Sequence, residues 1–476
     1  MSARFSNRVL VLGAGSVSQS VLPLLIEHLV DAKQITIMDQ RDNRARVQDA
    51  LSKGATYIQD VITRENIDAQ LSKYLSAGDF LLDLAWNIDA NVILHWCHDH
   101  GVMYLNTSIE EWDPYEGGSN KNPLDRTLYY RHMRMREMKA KWTKTGATAI
   151  VEHGANPGLV SHLVKKSLVD IATRALKDGK AVNGVEAALT DENYNSLSHL
   201  LGVKVIHIAE RDTQVTNRPK QWGEFVNTWS VEGFYEEGVA PAELGWGTHE
   251  KWMPANAHTH ETGCGAAIYL MQPGANTRVR TWCPTRGAQY GFLVTHNESI
   301  SISDYFTVRD TSGKAIYRPT CHYAYHPADD AVVSLHEMFG SGKIQEKHHI
   351  LEEDEIVDGI DELGVLLYGH KKNAYWYGSR LSIEETRKLA PYQNATGLQV
   401  TSAVLAGMVW AIENPNAGIV EADDLDFRRC LEVQMPYLGP VEGHYTDWTP
   451  LSGRPGLFPE DIDTSDPWQF RNVLVR

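Results

Sequence analysis

Short apolar runs alternate along the first third of the chain with longer segments whose apolar positions recur every three or four residues. The first run, Val9 to Leu12, has strand length, turns at Gly13 and Gly15, and leads into an apolar-faced helix before a second strand at Gln34 to Asp39. These pieces make one β-α-β unit. The alternation continues through the strand "FLLDLAW" (80 to 86), the helical "DANVILHWCHDHG" (89 to 101) and the strand "VMYLNTS" (102 to 108). It predicts a parallel sheet covered by helices on both faces. At Asn156-Pro157-Gly158 the pattern breaks before a new helix. From about 185 to 340, the runs "AAIYLMQ", "VRTWC", "YGFLVTH" and "SISISDYFTV" predict an antiparallel or mixed sheet with one covered face. The acidic "QEKHHILEEDEIVDGIDE" reads as a solvated connector, and "LGVLLYG" with "NAYWYGSRL" as a hairpin. "NATGLQVTSAVLAGMVWAIENP" is a long apolar-faced helix with a start signal at Thr396-Gly397, and the tail from 430 to 476 is expected to drape over the surface.

A length of 476 residues exceeds what one core usually serves. The expected architecture is therefore α/β, with a Rossmann-type doubly wound parallel sheet over 1–152 and a second α+β substrate and dimerisation domain over 153–384. A C-terminal helix and tail, 385–476, are expected to return to the nucleotide-binding domain.

Charge narrows the partners. With 45 basic against 61 acidic residues the net charge is -16, which opposes nucleic acid and favours small cations. No apolar run reaches the roughly 20 residues of a membrane helix, and "MSARFSNRVLVLGAG" lacks the features of a signal peptide, so no membrane partner and a cytoplasmic location are expected. Cys97, Cys264, Cys283, Cys321 and Cys430 are scattered without a C-x-x-C pair and read as reduced thiols.

The most specific motif is Gly13-Ala14-Gly15-Ser16-Val17-Ser18, between a strand and a helix. Gly13 permits the tight turn, Gly15 lets a pyrophosphate approach the backbone, and free amides with the helix dipole hold its charge. Ser18 in place of a third glycine should loosen helix–strand packing, and Pro23 should kink the helix. Asp39 closes the second strand 26 residues after Gly13, where a carboxylate accepts from a ribose diol and repels a 2'-phosphate. NAD is thus favoured over NADP, although Arg41 and Arg44 pull the other way. Strand ends at Asp83 to Asn87, with Ala85 and Trp86, and at Asn106 to Ser108, with Thr107, are expected to line the cofactor crevice or to serve as helix caps. "HWCHDH" and "CHYAYHPADD" lack a complete tetrahedral ligand set, so no metal is expected.

The Gly-rich turn, "FLLDLAW", "YLNTS", "HGANPGLVSHLVKKSL", "DGIDELGVLLYG" and "TGLQVTSAVLAGMVWAIENP" occur in the order found in the saccharopine dehydrogenase superfamily, which the chain resembles over essentially its full length. With "NTWSVEGFYEEG" and "AERDTQ" it is most similar to the bacterial branch that forms homospermidine. The resemblance implies an NAD-dependent transferase joining two putrescine molecules with release of ammonia, with spermidine as another conceivable donor and a homodimeric assembly. A carboxylate substrate would need arginine forks, whereas residues 205–240 place Glu210, Asp212, Glu224, Glu232, Glu236 and Glu237 around Trp222 and Trp229. That mixture suits an ammonium, although core aromatics beside solvated glutamates would look the same. On this reading Trp229 is the cation-holding face and Glu210 and Glu237 hold ammonium groups. His296, taken to end the strand "YGFLVTH", is the proton-transfer candidate, Asp361 and Asn156 contact substrate, and Asn156 and Pro157 touch the nicotinamide side. A saccharopine- or carboxynorspermidine-type dehydrogenase and a silent NAD-binding polyamine sensor are the alternatives.

Overall fold

The computed structural model describes residues 4–113, 122–352 and 354–475, which form two compact units. The first comprises Met1–Arg126, Tyr130–Leu159 and Thr386–Leu438. Its sheet has seven strands in the order Ile419–Glu421, Ala149–Val151, Met103–Asn106, Phe80–Asp83, Val9–Leu12, Ile35–Asp39 and Thr56–Gln59. Every neighbouring pair is parallel, so all the carboxyl ends lie along one edge. Strand order reverses beside Val9–Leu12, which puts the Gly13 turn at the switch point where such sheets bind ligands.

Ser18 is fully buried and its hydroxyl donates to Gly13 O at 2.6 Å. Rather than loosening the packing as expected, it ties the turn to the helix Ser16–His28, which continues through Pro23. The long helix Ala395–Glu413 starts from Asn394, whose side chain accepts from Gly397 N at 2.8 Å; the cap thus lies just upstream of the expected Thr396-Gly397. By length and composition alone this helix is apolar enough to cross a membrane, contrary to the expectation that no run is, but 78% of its most apolar window is buried inside the protein. It packs beside the helix Ser16–His28.

The second unit comprises Thr127–Tyr129, Val160–Glu385 and Gly439–Arg476. Its ten-stranded sheet is mixed: Val205–Asp212 pairs parallel with Thr320–His326 and antiparallel with Ile360–His370, which turns back as Asn373–Ser382. Three expectations fail here for identifiable reasons. "SISISDYFTV" alternates like a strand, yet Glu298–Tyr305 is a helix; residues 298 to 303 are buried on every side, so no single-faced period could appear. The acidic connector is not simply solvated, because Lys347–Ile350 pairs with Glu224–Asn227 and Asp361 and Glu362 are fully buried in a central strand. The tail drapes only in part: residues 455–460 are exposed as expected, but Val441–Thr446 extends the second sheet, and Phe470 and Val473 enter its core. The segment 385–476 therefore divides, its helix in the first unit and residues from Gly439 in the second.

The helix Glu298–Tyr305 lies almost backbone-to-backbone on the strand Pro241–Gly245. A Cβ on Gly245 would sit 2.2 Å from Ser303 Cβ and 2.5 Å from Ser299 O. Gly245→Ala should cost about 1–3 kcal/mol of overpacking, read as a lowered midpoint in thermal unfolding. An unchanged midpoint would mean that the helix backs away freely.

Candidate active site

In the first unit the residues expected to hold a dinucleotide line the carboxyl edge of the parallel sheet. Gly13 has φ +87°, and a Cβ there would meet Leu84 O at 2.6 Å, so the turn tolerates glycine alone. Gly15, by contrast, is exposed and has nothing within 4 Å of a built Cβ, leaving room for a phosphate above the helix N-terminus. Ser16 and Val17 begin the helix at this opening. Asp39 accepts from Ala14 N at 2.7 Å and from Arg41 N at 2.7 Å, so the carboxylate that would meet a ribose is fixed by the loop itself. Arg44, the rival attraction for a 2'-phosphate, is engaged: it donates to Asp42 at 2.7 Å and lies over the Tyr57 ring at 4.9 Å.

Further along the same edge, Ala85 N donates weakly to Asp83 at 3.3 Å, Trp86 is exposed, and Asn87 has φ +61°. Burial pushes the Asp83 carboxyl up to about 6, against the hydrogen bond it accepts from Tyr104. Thr107 packs its methyl near Gly154. In the turn that follows, Gly154 N donates to Pro157 O at 2.7 Å, and among the described residues Asn156 Nδ2 is a buried donor with no hydrogen-bond partner. An orphaned amide donor and an open helix N-terminus along one carboxyl edge are a donor set that fits NAD. "HWCHDH" serves packing: His98 and His100 stack on Trp142 and Trp96.

The second unit holds the acidic cluster, and sheet register builds it. Glu210 and Asp212 lie two residues apart on one strand and so share a face. Asp361 is opposite Asp212 on one neighbouring strand, and Tyr325 opposite Glu210 on the other. Tyr323 donates to Glu210, stacks on Tyr325 at 5.0 Å, and meets the His296 ring at 4.6 Å. Asp212 accepts from Thr228 Oγ1 at 2.7 Å, which anchors the chain just ahead of Trp229. The half-buried Trp229 donates to the Tyr325 hydroxyl at 3.2 Å and packs on Phe234 at 5.3 Å.

Ser230 caps the helix Val231–Val239 by accepting from Gly233 N, and three-residue spacing puts Phe234 and Glu237 on one of its faces. Glu237 Oε2 is 2.9 Å from His296 Nε2, and fully buried Glu298 is 3.3 Å from the other ring nitrogen. His296 lies four residues beyond the strand Gly287–Phe292, just before the helix Glu298–Tyr305, and not at a strand end as expected. Burial alone would lower its affinity for a proton, but Glu237 and Glu298 outweigh that and hold the imidazole charged well above the usual range. Burial, assisted by Asp212, pushes Glu210 up to about 8.

Glu210, Trp229, Glu237, His296 and Asp361 thus fall in one cluster. Trp222 does not join it; at 84% exposure it is neither a core aromatic nor a buried cation face. Glu224 is taken by Arg218 and Glu232 by His348. Sequence reading missed Tyr323, Tyr325 and Glu298. The i, i+2 tyrosines in "CHYAYH" carried a strand-face signal, whereas Glu298 lay in the gap between two expected strands, where an acidic residue gives no local sign of burial.

Residues 9–150 match the family model "Saccharopine dehydrogenase NADP binding domain" and residues 154–447 the "Saccharopine dehydrogenase C-terminal domain". A homospermidine synthase of Blastochloris viridis is 58% identical over 99% of this chain and 98% of its own length. One from Mesorhizobium japonicum is 56% identical over 98% and 96%. The crystal structure of a homospermidine synthase from Legionella pneumophila in complex with NAD, 42% identical, superposes with a TM-score of 0.89 over 100% of this chain and 99% of that one. The chain belongs to the homospermidine synthase family of saccharopine dehydrogenase-like enzymes.

Proposed function

We propose that the enzyme joins two putrescine molecules into homospermidine and ammonia, with the acidic cluster of the second unit as the diamine site. The observation that carries this reading is the donor set: five carboxylates, Glu210, Asp212, Glu237, Glu298 and Asp361, gathered around Trp229, Tyr323 and Tyr325. A dication neutralises such a set, and a carboxylate substrate would be repelled by it. NAD, held by Gly13, Gly15, Ser16, Val17, Asp39, Ala85, Trp86, Thr107, Asn156 and Pro157, supplies when bound an acceptor for one hydride and its return.

The reacting ammonium must lose a proton before its carbon gives up hydride, because its ordinary pKa is near ~10.4. Glu210 suits that role, since a carboxylate with raised proton affinity is a stronger base than usual. Trp229 presents its face to the positive charge carried by the imine. The second amine then adds to the imine carbon. His296, charged at neutral pH, gives a proton to the departing nitrogen so that it leaves as ammonia, and recovers one from the incoming amine. Glu237 and Glu298 keep the imidazole oriented for both transfers. A cytoplasmic location, a homodimer and spermidine as alternative donor belong to the same reading.

Mass analysis of the products with putrescine and NAD should find homospermidine and ammonia without net NADH by absorbance. Net NADH would instead mark a dehydrogenase, and no turnover a binding protein. Trp229→Ala should lower kcat/KM by about 0.5–2 kcal/mol or more of lost cation attraction, with Trp229→Phe in between; full activity in both variants would remove the cation face.

Proton affinity sets a second expectation. Glu210 must be ionised to hold a cation, so kcat/KM for putrescine should rise with pH toward about 8, by up to about tenfold per unit for one coupled proton. Glu210→Gln should lack that rising limb. For the cofactor, Asp39→Ala combined with Asp42→Ala frees Arg44 and should shift the NAD/NADP ratio of kcat/KM by about tenfold or more toward NADP.

A further inference from the structure

Behind the cofactor edge of the first unit lies a buried charged relay that the chemistry above does not use. Glu152, directly after the strand Ala149–Val151, has φ +56°, a conformation that glutamate rarely adopts. Its backbone N donates to Asn106 Oδ1 at 2.7 Å. Its carboxylate lies 3.1 Å from His132 Nδ1, and the other ring nitrogen of His132 is 2.9 Å from Glu421, the last residue of the adjacent strand Ile419–Glu421. Arg136, one turn along the same helix as His132, grips Glu421 with two hydrogen bonds of 2.8 and 2.7 Å. His132 is 1% exposed, and Glu152 and Glu421 only 7% and 9%. Two carboxylates are thus matched by one guanidinium and one imidazole, and charge balances when the imidazole carries its proton. Arg131 and Arg134 of the same helix face Glu111 instead.

Glu152 opens the turn His153–Gly158. His153 N returns to Asn106 O, His153 Nδ1 bonds with Ala403 O, and a Cβ on Gly158 would fall 2.1 Å from Gly154 O, so the turn has little room to shift once its first residue is set. We propose that His132 is a positioning residue for the cofactor: by bridging Glu152 to Glu421 it holds Glu152 in its left-handed conformation and so aims Asn156 at the nicotinamide. The inference rests on the reading of Asn156 as a cofactor contact.

The protonation state supports the geometry. Burial would lower the proton affinity of His132, but Glu421 and Glu152 together raise it to about 9. A group whose folded value is raised contributes fully below its ordinary value and is lost as pH rises through the folded one. Calorimetric titration of the full-length enzyme with NAD should therefore give an affinity that is flat to about pH 8 and falls through about 9.

Glu421→Gln removes one of the two carboxylates and should move that fall down by one pH unit or more, while affinity at pH 6.5 stays near wild type. His132→Gln should weaken NAD about tenfold throughout, leaving KM for putrescine at saturating NAD unchanged. A fall that stays at pH 9 in Glu421→Gln, or wild-type affinity in His132→Gln, overturns the positioning role. Asn156→Ala separates the two claims. If it binds NAD normally, the reading of the turn fails and the inference with it; if it binds weakly while both relay variants behave as wild type, only the inference fails.

Discussion

The cost of burying carboxylates away from water governs the second unit. Glu210, Asp212, Asp361, Glu237 and Glu298 are drawn together by sheet register and by two helices, and an ionised carboxylate in such surroundings needs a proton or a cation. The protein answers partly by raising the proton affinity of Glu210, through burial assisted by Asp212, and partly with the imidazole of His296 between Glu237 and Glu298. The same arrangement pushes both proton affinities up for different reasons: that of Glu210 through burial and its acidic neighbour, that of His296 through the two carboxylates beside it.

The first unit solves a different problem with the same economy of backbone. An all-parallel sheet sends its seven strand ends, each closing on or followed at once by a polar residue or glycine, to one edge, and the switch in strand order opens a place for the Gly13–Ser18 turn. Fixing those ends is left to side chains: Asp39 binds its own loop, Ser18 binds Gly13, and the relay through His132 binds Glu152 to Glu421. At Glu152 the strained φ is accompanied by two anchors, the N–H bonded to Asn106 and the carboxylate paired with His132.

Features whose signal is local could be read from the chain alone. The Gly-rich turn, Asp39 at a strand end, the parallel first sheet, the hairpin of Ile360–His370 with Asn373–Ser382 and the helix Ala395–Glu413 each rest on residues within one or two turns of each other. Trp229 and Glu237 were legible because helical spacing and strand ends place them within a few residues. Trp222 was not separable from Trp229 in sequence; only the anchored turn that holds it 84% exposed distinguishes the two.

Burial and long-range pairing had no such local trace. Alternation in "SISIS" mimics a strand because hydrophobic periodicity reports a single wet face, and a helix buried all round has none. Acidic composition made Asp361 and Glu362 look solvated, while strand pairing with Val205–Asp212 put both in the interior. Sequence by itself determined the nucleotide-binding unit and the chemical types of the acidic and aromatic cluster, because backbone turns and side-chain chemistry are properties of neighbours in the chain. Tertiary structure alone decided which acids meet in the interior, that His296 lies between two carboxylates, and that His132 bridges two strand ends, because proton affinity depends on groups brought together from positions up to 289 residues apart.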